Sequence, residues 1–344
     1  MKQREGLPIW AIIAVLLVVA LLGGILLNLN KKNTESSDKL VVVSPHPTDF
    51  MIPLIQEFEN ETGIEVDLRS CGTSEAIRSM VDDENIDVLW GGSLLSVGAY
   101  SEFFYPYKSV NRAMFKDDFK DIDGRITCFS NVPSVIIVNE DIIGNTQIEG
   151  YEDLLAENLK GKIAYANPGK SSSAFEHLVN ILYAMGDGNP EAGWDYVEKF
   201  IDQLNGILLG SSSEVYEGVA AGKYVAGLTF EEAAVTMLGK GKHIRIIYME
   251  EGVVSTPDGI YISKNSTNIL KAEKFVDFMT SAGTQEFMAG NLGRRSVRRD
   301  VSASELVIPD NEITAIDVDR DEVISKKDEW NSKFLALFGE DSDE

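Results

Sequence analysis

From Leu40 onward the chain alternates short apolar, β-rich runs with longer stretches whose apolar residues recur every three or four positions, and no other feature constrains its fold as strongly. Leu40–Ser44 is such a run, closed off by Pro45 and Pro47. Phe50, Leu54, Ile55 and Phe58 then fall at helical spacing, with Asn60 and Gly63 as the stop. Residues 64–68 alternate as a strand, 74–81 read as a helix, and 87–90 form a short strand ending in Gly91 and Gly92. Strand, helix, strand, helix, strand is the pattern of a parallel sheet covered by helices, because parallel neighbours need a crossover long enough to hold a helix.

A second α/β unit follows. Residues 132–138 predict a long apolar strand, 151–157 a helix, 162–166 a strand, 173–185 and 194–204 helices, 207–209 a strand, 213–221 a helix and 224–229 a strand. Strands at 244–249 and 259–262 and a helix at 269–279 come next, and the acidic last fifth, from Ser302, ends in a helix over 330–338. With 344 residues, 44% of them hydrophobic, the chain has room for two lobes with separate cores.

Ahead of these units, residues 6–30 run for 25 positions without a charge and are rich in Leu, Ile, Val and Ala. At ~1.5 Å per residue they can span a hydrocarbon core of ~30 Å with some tilt. No A-x-A cleavage site follows and neither cysteine is placed for lipidation, so the sequence predicts an uncleaved membrane anchor in residues 1–30, with a cleaved signal and a secreted domain as the alternative. Lys2 and Arg4 are balanced by Lys31 and Lys32 across the segment, so the positive-inside rule does not choose an orientation. Nothing after residue 30 is long and apolar enough to span again, which favours a cytoplasmic N-terminus with the remainder outside the cell membrane. Residues 31–38, KKNTESSD, read as a tether.

Lys and Arg number 31 against 55 Asp and Glu, a formal charge of −24 that repels phosphate backbones and argues against nucleic acid as a partner. Cys71 and Cys128 are too few for a disulfide scaffold; outside the cell they either pair or stay as buried thiols. No zinc-ligand spacing, G-x-S-x-G or H-E-x-x-H occurs, and His46, His177 and His243 have no evident nucleophile or metal beside them. His177, in mid-helix, reads as structural. An enzyme is therefore not expected; a cleft hydrolase of phosphate esters would need a geometry without a sequence signature.

Open parallel sheets bind ligands beyond the carboxyl ends of their strands, where helix N-termini offer unpaired N–H groups and roughly half a positive charge. Four loops have that form, each rich in hydroxyls or glycine. The first, Ser44 to Asp49, brings Ser44 and His46, and the second brings Gly72, Thr73 and Ser74. The third contains Asn167, Lys170, Ser171, Ser172 and Ser173, and approaches a phosphate-binding P-loop with Ala164 in place of its first glycine and Pro168 where a donor is needed. The fourth, Gly210 to Glu214, brings Ser212. Glu231, at a strand end, is a hydrogen-bond acceptor for hydroxyls or an ordinary first-turn acid, and the run Arg294, Arg295, Arg298, Arg299 offers Arg295 as an oxyanion ligand or as a partner of surface acids.

In order and spacing the chain resembles the type II periplasmic-binding-protein-like solute-binding proteins of ABC transport, in the branch of ferric-ion and sugar-phosphate binders. The likeness covers roughly residues 40–300 and rests on Thr62-Gly63-Ile64-Glu65-Val66, on Ile86 to Gly92, on Asn167-Pro168 with Ser171 to Ser173, and on Ala272, Phe275, Phe278 and Gln285 with Gly293 to Arg298. The resemblance implies two lobes closing on a ligand without chemistry: residues 39–135 plus 252–300 as lobe 1, 136–251 as lobe 2, crossovers at 132–138 and 252–262, and 301–344 as an acidic C-terminal segment. It implies a small anionic solute, a sugar phosphate or other phosphate-bearing compound, no cofactor, and an ABC permease or a sensor histidine kinase as partner. Ferric-ion members carry adjacent tyrosines where this chain has Thr229-Phe230-Glu231-Glu232, so iron is the alternative cargo.

Overall fold

The computed structural model describes residues 39–82, 85–120 and 124–339; the expected anchor and tether lie outside them. Among the described residues no helix is long and apolar enough to cross a membrane.

The chain opens with β1 (Leu40–Ser44), α1 (Thr48–Thr62), β2 (Val66–Ser70), α2 (Thr73–Asp82), β3 (Val88–Ser93) and the short α3 (Leu94–Val97). β1 lies between β2 and β3 and is parallel to both. Its residues are buried on both faces: Leu40 and Val42 pack with Phe50, Phe58, Trp90 and Phe275, while Val41 and Val43 pack with Ile77, Met80 and Tyr261 on the opposite side. A strand covered on both faces has no polar alternation, which is why this one reads as a continuous apolar run. Gly63 ends α1 in the left-handed region at φ 69°, as its sequence position predicts.

The next strand, β4 (Thr127–Asn139), serves two sheets. Its first half pairs antiparallel with β8 (Ser255–Ile262), which pairs with β3 and completes the first sheet. Its second half pairs antiparallel with β6 (Ala226–Phe230) and β7 (Ile244–Ile247), and β5 (Ile163–Ala164) adds parallel to β6. The expected parallel sheet is thus mixed, because a chain that leaves a lobe and returns to it lays its returning strand antiparallel. Around the second sheet lie α4 (Ser172–Met185), α5 (Pro190–Leu204), α6 (Ser212–Ala220) and α7 (Glu231–Gly239), while α8 (Ile269–Met279), α9 (Ala282–Leu292) and β9 (Arg295–Ser296) return to the first. His177 is structural: its Nε2 reaches the carbonyls of Val135 and Thr229, a cross-strand pair of β4 and β6, and its Nδ1 meets the Tyr151 hydroxyl at 2.8 Å.

β4 and β8 start five and four residues earlier than predicted, and three further elements differ from expectation. Residues 151–157 form two 3₁₀ turns, Glu152–Leu155 and Glu157–Leu159, because Ala156 between them is extended at ψ 131°. Residues 207–209 contribute a single bridge, Ala166 to Leu209. The last helix, α10 (Arg320–Phe338), starts ten residues earlier than predicted, capped by Asp319. Of its first half only Val323 is buried, so the apolar period becomes visible at Trp330. Val323, Trp330 and Phe334 complete the second core, while Lys327 donates to the Ser96 carbonyl at 2.7 Å beside α3, so the helix touches both lobes. Cys71 and Cys128 are separate thiols packed in different apolar clusters, and the pairing that the sequence left open does not form.

Candidate functional site

Five helix starts converge on one cavity of about 750 Å³ between the two sheets. Its walls include His46 and Thr48 at the start of α1, Gly72 and Thr73 at α2, Lys170 to Ser173 at α4, Gly210 to Ser213 at α6, and Phe230 and Glu232 at α7. Each start follows a strand or bridge, as expected of carboxyl-end loops. Two serines act as N-caps: the Ser171 hydroxyl accepts from the Ala174 N–H and the Ser211 hydroxyl from the Glu214 N–H, both at 3.4 Å. Their neighbours Ser172, Ser173, Ser212 and Ser213 line the cavity with hydroxyls.

The lobes touch at the rim. The Thr73 hydroxyl donates to Ser172 Oγ at 3.2 Å, Ser74 Oγ donates to the Gly169 carbonyl at 2.9 Å, and Lys240 pairs with Asp49 at 2.6 Å. These contacts join the α1 and α2 starts to loops of the second lobe across the cleft.

The floor is a buried charge cluster. Arg294 lies with its guanidinium carbon 4.8 Å from the Phe50 ring centre, and its Nη2 donates to His46 Nδ1 at 3.1 Å. An accepting Nδ1 fixes the proton on Nε2, which faces Asp258 Oδ2 at 3.4 Å. Burial, reinforced by the guanidinium, pushes the imidazole well below its ordinary pKa, so His46 is neutral. Arg294 also lies 3.4 Å from Glu232 and 3.6 Å from Asp258. Glu176, one turn into α4, completes the floor, hydrogen-bonded to the Ser93 side chain. Burial raises all three acids above their usual range, Glu176 to about 8 and Asp258 to about 6, with Arg294 opposing the rise in each case.

Gly91 and Gly92 let this floor assemble. At φ 111° and 85° they hold conformations that side-chain-bearing residues rarely adopt, and a Cβ on Gly91 would stand 2.6 Å from His46 Nε2.

The sequence-predicted residues divide in two. His46, Gly72, Thr73, Lys170, Ser171, Ser172, Ser173 and Ser212 line the cavity together. Ser44 does not: it is fully buried, and its hydroxyl accepts from the His46 N–H at 3.3 Å to shape the first loop. Asn167 shapes the third, accepting the Gly169 N–H on Oδ1 at 2.8 Å, and Ser74 sits at the rim. Glu231 and Arg295 depart most from expectation, because they bind each other. Arg295 Nε and Nη2 donate to the Glu231 carboxylate at 2.8 and 2.7 Å, and the remaining guanidinium edge meets Asp310 and the Ile308 carbonyl. Sequence reasoning missed Glu176, Asp258 and Arg294 as floor residues.

The sequence profile of the bacterial extracellular solute-binding proteins matches residues 53–315. The chain is similar to a solved two-component system protein that mediates signal transduction: 30% identical, TM-score 0.74, with 84% of this chain and 99% of that one covered. It superposes on the periplasmic binding protein AfuA of Actinobacillus pleuropneumoniae, solved with fructose 6-phosphate bound, with a TM-score of 0.80 at 19% identity over 88% of this chain and 98% of that one. It is also 22% identical to Iron uptake protein A1 of Synechocystis over 255 residues, 69% of this chain and 70% of that protein.

Proposed function

The chain belongs to the bacterial extracellular solute-binding proteins, and on that footing we propose that it captures a small solute carrying both a phosphate and hydroxyl groups, such as a sugar phosphate. The observation that carries this reading is the two-sided cavity: hydroxyl-bearing helix starts with Lys170 line one part, and the carboxyl floor around Arg294 lines another. Helix N-termini suit an anion, and carboxyl groups suit hydroxyls. A bare anion would leave the floor unmatched, and a neutral sugar would leave the N–H groups unmatched.

The fructose 6-phosphate bound to AfuA supports this class of ligand. The iron-uptake relative favours the alternative cargo. Against it, this chain has Thr229-Phe230-Glu231-Glu232 where ferric-ion binders carry adjacent tyrosines. The family binds solutes rather than transforming them, so no turnover is expected.

We assign residues 39–135 plus 252–300 and residues 136–251 as the units that open and close, with residues 6–30 holding the domain at the outer face of the membrane. The loaded protein then delivers its solute to an ABC permease or presents it to a sensor kinase; the signalling relative at 30% identity favours the second. Isothermal titration of the purified full chain with fructose 6-phosphate, fructose, inorganic phosphate and ferric citrate tests the assignment. The phosphorylated sugar should bind tighter than either half alone. Tightest binding of ferric citrate, with colour in the protein, would overturn it.

A further inference from the structure

The cleft floor buries three carboxyl groups around one guanidinium. Glu176 on α4, Glu232 on α7 and Asp258 on β8 are 4%, 3% and 6% exposed, and Arg294 is 3% exposed. Taking an ionised carboxylate out of water costs several kcal/mol unless a counter-charge and hydrogen bonds replace the water, and one guanidinium cannot do this for three acids. His46 gives no further positive charge, since its Nδ1 is occupied as an acceptor from Arg294. Protons must make up the difference.

Geometry says which acid retains one. Arg294 Nη2 stands 3.4 Å from Glu232 Oε2 and 3.6 Å from Asp258 Oδ2, and Asp258 also accepts the Gly259 N–H at 3.2 Å. Glu176 instead has the Ser93 hydroxyl as its hydrogen-bond partner. The other groups that bear on it are Asp258 from β8, unfavourable to its charge, and Arg294, which favours it from the segment after α9; Tyr261 of β8, whose phenol burial keeps neutral, is the remaining titratable neighbour. The Tyr261 hydroxyl is committed to the Gly92 carbonyl at 2.7 Å. From its own helix start the polar neighbours in the cavity are Ser172 and Ser173, from α7 Glu232, and from the first loop the neutral His46.

We propose that Glu176 meets the solute as a neutral carboxylic acid, a hydrogen-bond donor set among acceptors, so that the floor is matched to ligand hydroxyls and releases them when the acid ionises. A hydroxyl both donates and accepts, and a floor of carboxylates alone would satisfy only its proton. With Glu176 neutral and Glu232 and Asp258 drawing on Arg294, the floor offers a carboxylic-acid donor beside its acceptors and the N–H groups of Arg294 and His46. Burial, which raises Glu176 to about 8, agrees with this assignment.

The inference rests on the cleft being the solute site, and two measurements on the full chain keep the two claims separable. The first is the affinity for fructose 6-phosphate by titration calorimetry between pH 7 and 9, a window in which the ester's own second ionisation, near pH ~6, is complete. Wild type should lose about tenfold over that window, as one-proton linkage requires. Glu176→Gln keeps a donor and should bind without pH dependence, and Ser93→Ala, which removes a bond favouring the charged form, should move the loss to higher pH. A flat wild-type profile, or the same slope in Glu176→Gln, overturns the inference.

The second measurement needs no ligand. The acid's folded pKa lies above its unfolded value near ~4.3, so it contributes stability at low pH that is lost as the pH rises through about 8. The melting temperature of Glu176→Gln relative to wild type should therefore climb from pH 5 to about 8 and level off above it. A constant difference shows that Glu176 is ionised throughout and overturns the inference. A climbing difference without any binding of the ester leaves the neutral acid standing and removes the sugar-phosphate assignment. If Glu176→Gln does not fold, the displacement of the Ser93→Ala profile decides.

Discussion

The pair Glu231–Arg295 offers the sharpest test of how the hinge region is held. Both side chains are 2% exposed, the guanidinium grips the carboxylate through two nitrogens, and the Tyr248 hydroxyl donates to the same carboxylate. Glu231 opens α7 of the second lobe, whereas β9, which carries Arg295, pairs with the first half of β4, so the ion pair ties the two lobes together beside their crossover strand. Replacing Glu231 by Gln keeps the shape and removes the charge. The guanidinium then keeps Asp310, which is 54% exposed, and the Ile308 carbonyl. Breaking a buried pair from one side costs about 3–5 kcal/mol, and the surviving partners put Glu231→Gln near the lower figure. At ~2.1 cal/mol/K of unfolding entropy per residue, a chain of this size shifts by ~1.5 °C per kcal/mol, so the melting temperature should fall by about 4–5 °C. Urea melts of the full chain at pH 7, paired with calorimetric affinity for the phosphorylated sugar, measure both sides. Because Glu231 is not in the cavity wall, affinity should stay within about threefold, well under 1 kcal/mol. An affinity loss of tenfold or more with stability unchanged within about 0.5 kcal/mol would refute the argument and make Glu231 a ligand residue after all.

Other expectations concern the cavity and the terminal helix. Thr73→Ala and Ser173→Ala should each weaken a phosphate ester by about 10–100-fold, since a hydrogen bond to a charged group is worth ~1.5–3 kcal/mol; fructose without phosphate should lose less, and titration of both ligands checks the difference. Gly91→Ala should cost about 1–3 kcal/mol in a denaturant melt and also weaken binding, because the new Cβ, 2.6 Å from His46 Nε2, must displace the imidazole. Asp49→Ala should change stability by less than about 1 kcal/mol, since its bond to Lys240 joins two exposed side chains. Trp330→Ala should destabilise the chain by about 3–5 kcal/mol in the same assay, because that ring lies in the second core and not on an appended tail.

Sequence and site part company at neighbouring residues. The hydroxyl-rich loops were readable because runs of several hydroxyls exceed what one N-cap needs, and His46, Thr73, Lys170 and Ser171 to Ser173 do line one cavity. The floor was harder to read because it depends on parity. Arg294 and Arg295 lie on a stretch where successive side chains face opposite ways, so Arg295 turns to Glu231 while Arg294 lines the cavity. Glu231 and Glu232 pose the same problem on a helix, where consecutive residues point ~100° apart: one meets Arg295 and its neighbour meets the cavity. Asp258 did leave a trace, as a lone acid in the otherwise uncharged run from Val253 to Ile262, and so did Glu176, a charge on a helix buried almost all round.

On the proposed assignment, a chain of formal charge −24 must separate its global field from its local one to take up an anion. At physiological ionic strength the Debye length is ~8 Å, so surface carboxylates beyond the rim are largely screened at the ligand, whereas N–H groups and hydroxyls at hydrogen-bond distance are not. The net charge therefore acts on the rate of approach, and the helix starts act on residence once the anion is inside. The floor obeys the same separation by other means. Three ionised acids there would project a strong negative potential into a poorly screened cavity. Burial and the proton proposed on Glu176 keep that charge from forming in full, which makes a carboxyl-lined floor compatible with the proposed phosphate-bearing solute.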